Sequence, residues 1–189
     1  MAVFADLERL AGPPLYPSPS VDWDELERAV AFRFPDAYKR LFDKYPHLQL
    51  DGFLGVFHPG DDIALLLEGT RTALESLREL AAYGGSVTLV DDSGAKSEIP
   101  PYPLWPEAGG LFHWGATENG DFCLWLTSGP NAPDWPIVVT DGIEYWRYDG
   151  GFVNFLVGVL NRTVRCPIFP DNFPSSLRVD QFDVRQWDS

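Results

Sequence analysis

Glu118 and Asp121 flank an Asn119-Gly120 pair, and two carboxylates so placed can act as a general acid and base or as ligands for Ca²⁺. The same pattern at a hairpin tip also describes a solvated turn. Cys123 follows closely, and with His113 it could form a thiol nucleophile and its base. Neither a third orienting group nor an oxyanion-hole glycine turn accompanies them, and Cys123 is flanked by Phe122 and Leu124. The three histidines, His47, His58 and His113, lack His, Cys or carboxylate partners at metal-ligand spacing. Asp91-Asp92 precede Gly94 without the D-x-D-x-D-G spacing of a calcium loop. No Walker loop, G-x-G-x-x-G after a strand or G-x-S-x-G is present. The expectation is a chain with no catalytic set, no metal and no cofactor.

Charge is the strongest global signal. The 189 residues carry a formal net charge of −14, and the surplus is uneven. Residues 1–60 contribute −3, residues 61–160 contribute −11 and residues 161–189 are balanced. Such a chain repels nucleic acid, whose phosphates demand Lys and Arg, and repels anionic lipid for the same reason. It attracts basic proteins and speeds encounter with them. Acidity for solubility alone is the plainer reading of the charge taken by itself. No apolar run reaches the length of a membrane span. The start, MAVFADLERLAG, lacks the basic and apolar regions of a signal peptide. Cys123 and Cys166 are too few for a disulfide framework, so both are expected as free thiols in the cytoplasm.

The elements that position these groups are read from periodicity and punctuation. Residues 2–11 form a short helix, and four prolines in Gly12–Ser20 make an extended arm. Asp22 caps a helix to Phe32, with Glu25 placed as in a capping box. Pro35 suits the first turn of a second helix carrying Tyr38, Leu41, Phe42 and Tyr45, ended by Pro46. Gly52–Phe57 is a short strand. Asp61-Asp62 open a helical stretch to Tyr83, unless Gly69 divides it into a strand or turn and a helix from Thr70. Ser86–Val90 is a strand, and Asp91–Gly110 a proline-rich loop whose Tyr102 and Trp105 are packing clips or a contact surface. Leu111–Val139 holds two strands joined at Asn119-Gly120, a loop and a third strand. Asp141-Gly142 turns into a return strand to Tyr148, and a last helix begins at Phe152. The pattern predicts an α+β fold, with helices on a mainly antiparallel sheet of about five to six strands. It divides into an arm (1–20), a domain (21–160) and a packed tail (161–189).

Three stretches resemble the SUKH superfamily. WDELERAVAFRFPDAYKRLFDKY, from Trp23 to Tyr45, is similar to the family's opening: a Trp, a Glu soon after, then a Pro before a Tyr-bearing helix. Trp114, Gly115, Asn119, Gly120, Asp121, Trp125 and Trp135 resemble its central hairpin followed by a Trp and a strand. GGFVNFLVGVL looks like its closing helix. Ala31-Phe32-Arg33 and Pro46 stand where the family usually has glycine-containing positions.

What the resemblance implies is a non-enzymatic binding domain. Bacterial members are typically immunity proteins that neutralise a toxin domain, often a nuclease; fungal relatives regulate cell-wall synthesis. A nuclease needs a basic groove, which an acidic protein can occupy by charge mimicry. The expected contact residues are Asp91, Asp92, Glu98, Glu107, Glu118, Asp121, Asp134 and Asp141, around Tyr102 and Trp105 as aromatic anchors. The alternative is a regulator or scaffold of the same fold with no toxin partner. Trp23, Trp114, Trp125 and Trp135 are expected to build the core.

Overall fold

The computed structural model describes residues 3–60, 62–81, 85–127 and 135–183. Of its first three helices, α2 is the one that begins at a side-chain cap. Helix α1 (Phe4–Ala11) precedes the proline-rich arm. Helix α2 (Trp23–Val30) starts after Asp22, whose carboxylate accepts from the Glu25 amide at 2.9 Å. It ends earlier than Phe32, at Ala31 in the left-handed conformation (φ 63°) that stops a helix. Helix α3 (Asp36–Phe42) has Pro35 at its cap and not in its first turn. Tyr45 lies past its end, and its hydroxyl donates to the Gly12 carbonyl at 2.8 Å. The arm is laid across the domain: the Leu15 amide donates to Gln181 Oε1 at 2.8 Å, and Ser18 Oγ lies 2.9 Å from the Tyr45 carbonyl.

Helix α4 (Ile63–Ala81) runs unbroken through Gly69, so the divided alternative is not what forms. Thr70, Leu74 and Leu77 are buried beneath it, and that burial outweighs the propensity cost of one glycine, about 1 kcal/mol relative to alanine. Helix α5 (Phe152–Leu160) is apolar nearly all round and buried accordingly.

The sheet corrects the expected strand count. Among the described residues it has nine strands: β1 (His47–Leu50), β2 (Leu54–Val56), β3 (Val87–Val90), β4 (Lys96–Ile99), β5 (Leu111–Thr117), β6 (Phe122–Leu126), β7 (Ile137–Thr140), β8 (Glu144–Tyr148) and β9 (Val179–Phe182). The order across it is β4-β3-β8-β7-β6-β5-β2-β1-β9. The sheet is mixed, because β3 and β8 pair in parallel. The α+β class stands, and so does the mainly antiparallel pairing, since every strand pair but β3–β8 is antiparallel; the count of about five to six strands does not. The unexpected strands are β1, β4 and β9. β4 and β9 show no clear apolar alternation, and the loop expected over Asp91–Gly110 contains β4; β1 alternates, with Leu48 and Leu50 buried, but over four residues only. Each is strand because a neighbour offers its backbone groups. The tail is thereby part of the sheet, with β9 along β1 from His47↔Phe182 to Leu50↔Val179.

Strand alternation then divides the core. Trp114, Trp125 and Trp146 meet Tyr38 of α3 and Phe152 and Phe155 of α5 on one face, where Phe112 packs on Phe34. On the other, α4 packs against β5, and its Leu80 lies over Gly142 in the β7–β8 turn.

Strands β2 and β5 approach so closely that Gly115 has no room for a side chain: a Cβ there would overlap the backbone oxygen of Gly55. Both atoms are backbone-fixed, so relief requires the strands to part. Gly115→Ala is expected to destabilise by about 1–3 kcal/mol in urea unfolding. A cost under about 0.5 kcal/mol would show that the two strands part easily at this point.

Candidate functional site

The candidate nucleophile and base are not assembled. His113 pairs with Leu124, and Cys123 with Gly115, so their side chains leave opposite faces of the sheet. Cys123 is buried, and burial, foremost, raises its thiol well above the ordinary value. Cys166 is also a buried free thiol, pushed up by burial to about 12. Such thiols are poor nucleophiles.

The carboxylate pair is likewise split. Asp121 is only 5% exposed, and Thr117 Oγ1 donates to it at 2.6 Å while accepting from the Asp121 amide at 3.1 Å. Burial raises its carboxyl, the Thr117 hydroxyl opposes this, and the nearby Asp141 carboxylate adds to it. Asp121 thus closes the β5–β6 turn. Glu118 is exposed on that turn and accepts from Gln49 Nε2 at 2.6 Å. Among the described residues, no group of three or more His, Cys, Asp or Glu side chains could hold a metal ion.

The pairing registers gather acids from separate parts of the chain at one end of the sheet. Phe122 pairs with Thr140, which sets the Glu118–Asp121 turn beside Asp141 in the next turn. The Asp141 carboxylate accepts from the Ile143 and Glu144 amides, both at 2.8 Å. Thr88 pairs with Glu144 on one side and Glu98 on the other. Glu98 accepts from Ser86 Oγ at 2.6 Å and Thr88 Oγ1 at 2.9 Å, hydroxyls that hold its carboxyl below the ordinary value. Glu118, Asp141, Glu144 and Glu98 therefore form a row from β5 to β4, with Asp121 beneath it. Lys96 is the basic group set against the row, paired with Glu144. Sequence reasoning missed Glu144, whose place in the row depends on β3 pairing with β8.

The remaining candidates lie elsewhere. Asp91 closes the β3–β4 turn at the opposite end, accepting from Ser93 Oγ at 2.6 Å and from the Ser93 and Ala95 amides at 2.8 and 3.0 Å. The Ser93 hydroxyl and those amides hold its carboxyl below the ordinary value. Asp92 accepts from Trp146 Nε1 at 2.8 Å, which ties it to the core. Tyr102 is half-buried against Tyr145, ring centres 6.0 Å apart, and burial raises its hydroxyl. Trp105 is a packing residue: it is 8% exposed, donates to the Val30 carbonyl at 3.0 Å and meets Phe112 edge-on. Glu107 is exposed in the same loop. Asp134 lies outside the described residues. The nine described candidates are thus distributed over both ends of the sheet and do not form one patch.

The family-model comparison returned no match for this chain, nor did the searches of curated proteins and of solved structures. Among the described residues, no helix is long and apolar enough to cross a membrane.

Proposed function

We propose that the chain is a non-catalytic protein-binding domain that captures a basic partner through the Glu118–Asp141–Glu144–Glu98 row. The partner that best fits this reading is a toxin domain, with a nuclease as the favoured kind, so the chain would act as a cytoplasmic immunity protein. The observation that carries the reading is the row itself. Its carboxylates sit on short turns and strands, oriented by backbone amides and neighbouring side chains, so little ordering cost remains on binding. A nuclease groove is basic because its substrate is a polyanion, and a pre-positioned row of carboxylates complements it. The three sequence stretches that resemble the SUKH superfamily point the same way. Asp91 and Glu107 lie outside this row, and Asp121 acts by shaping the turn.

Affinity capture from the native host at low salt tests the identity of the partner. One basic protein, recovered stoichiometrically and toxic when expressed alone, is the expected result. A scatter of weak partners would instead favour a regulator or scaffold. The surface is tested with the variant Glu98→Lys, Glu118→Lys, Asp141→Asn, Glu144→Lys, in which asparagine retains the turn acceptor. The association rate with the captured partner is expected to fall about tenfold or more, with a shallower salt dependence. An unchanged rate in a folded variant would place the contact elsewhere.

A further inference from the structure

The two ends of α4 border different features. The first half of the helix, with Gly69, lines a cavity of about 770 Å³ whose wall also includes Ser18, Tyr38, Phe57 and His58. Polar groups of that wall bond one another: the Tyr38 hydroxyl donates to the Phe57 carbonyl at 2.8 Å, and Ser18 Oγ lies 3.0 Å from His58 Nε2. The last turn of the helix reaches the acidic row, and there two large apolar side chains face solvent.

Ile143 is 71% exposed and Leu80 is 48% exposed. They come together at Gly142, the residue before Ile143. Leu80 Cδ1 lies 2.5 Å from the point where a Cβ on Gly142 would stand. Gly142 takes a φ of 93°, so the turn needs glycine there, and the missing side chain admits the leucine.

The turn holds its shape without the Ile143 side chain. The Asp141 carboxylate accepts from the Ile143 and Glu144 amides, both at 2.8 Å, and Thr140 Oγ1 accepts from the Gly142 amide at 2.9 Å. Leu74 and Leu77 already seat α4 on the sheet. Single exposed apolar residues are ordinary. Here two adjoin one another, and acids surround them. Asp141 and Glu144 flank Ile143, Glu118 lies in the neighbouring turn, and Glu98 follows across β3. Of the nearby basic groups, Lys96 is paired with Glu144, and Arg78 stands two residues before Leu80, a spacing that places it on another face of the helix. An apolar centre inside a polar rim is the layout of a protein interface. Tyr102 and Trp105, the aromatic anchors expected from sequence, are engaged in packing, whereas Ile143 is displayed on a backbone already fixed by hydrogen bonds.

We infer that Ile143 and Leu80 form the apolar anchor of the partner-binding surface, and that they receive an apolar side chain flanked by lysine or arginine on the partner protein. This rests on the reading of the acidic row as a partner site and supplies what charge alone lacks. The carboxylates speed encounter, and apolar burial slows release. The anchor also sets specificity: a basic segment without an apolar centre is attracted by the row and not retained.

The test titrates the full chain at low salt with two capped synthetic peptides of equal charge, KRKLFKRK and KRKSSKRK. The first is expected to bind about tenfold tighter or more. Ile143→Ser should remove most of that preference while leaving the affinity for KRKSSKRK and the urea midpoint unchanged. Ile143→Leu should keep the preference, and Leu80→Gln should reduce it. The variant carrying Glu98→Lys, Glu118→Lys, Asp141→Asn and Glu144→Lys should weaken both peptides and preserve their ratio. Equal affinity of the wild type for the two peptides would overturn the anchor while the row stands. So would a preference that survives Ile143→Ser and Leu80→Gln together. Failure of the wild type to bind either peptide, or a charge variant that binds both as tightly as the wild type, would overturn the row and the anchor with it.

Discussion

Replacing Trp125 with alanine is expected to destabilise the domain by about 3–5 kcal/mol, more than the glycine substitution in β5. Trp125 is 0% exposed and sits where α3 and α5 meet the sheet. Its ring meets Tyr38 of α3 at 4.7 Å and perpendicular, Phe152 of α5 at 5.6 Å, Phe34 at 6.0 Å and Trp114 of β5 at 5.9 Å. Alanine opens a void that these rings cannot close together, because each is fixed by a different element. A domain of this kind holds about 5–15 kcal/mol in all, so the variant should unfold at much lower urea. Trp125 Nε1 is itself buried without a partner. Phenylalanine removes that unpaired donor while retaining much of the ring, so Trp125→Phe should lose far less. A cost under about 1.5 kcal/mol for Trp125→Ala would mean that the aromatic core repacks freely.

Acid should weaken the fold well before its carboxylates titrate. Burial lowers both His47 and His113 from 6.5 to about 4, and for His113 the Gly115 backbone partly opposes the shift. Depressed folded values mean that the unfolded chain takes up these protons first. The stability they contribute is complete above pH 6.5 and is lost as pH falls through the folded values near 4. Each shift corresponds to about 3 kcal/mol as a ceiling, since both rings retain some solvent contact. Asp51, Asp91 and Glu98 have carboxyls held below ordinary values of 3.8 to 4.5, so their losses come at lower pH. Between pH 6.5 and 5 the decline should therefore belong mainly to the histidines. Urea unfolding across that interval checks this: His47→Phe and His113→Phe should each flatten the slope. Parallel slopes for wild type and both variants would assign the decline to other groups.

Much of the helical layer was legible in local sequence. Asp22 as a cap, the apolar spacing of Leu26 and Val30, and the glycines before Phe152 act within a few residues of one another. The same holds for the tips at Asn119-Gly120 and Asp141-Gly142, where glycine takes positive φ values of 87° and 93°. The burial of Trp114, Trp125 and Trp135 followed from their size.

The site was less legible because its parts are joined only through the sheet. Glu118, Asp141, Glu144 and Glu98 become neighbours by cross-strand register, and register is set by which strands pair. Glu144 enters the row through the parallel β3–β8 pairing, which joins segments far apart in sequence. Trp105 carried two readings in sequence, and the Val30 carbonyl at 3.0 Å decides for packing.

By itself the sequence determined the class of fold, the hairpin tips, the acidic balance of the middle segment and the aromatic core. These depend on periodicity, residue size and charge, which need no distant partner. Tertiary structure alone decided the short strands β1, β4 and β9, the separation of Cys123 from His113, the acidic row and the cavity beside Gly69. The reason is physical: a four-residue strand exists only where another backbone completes its hydrogen bonds, and a cavity exists only between elements that have already packed.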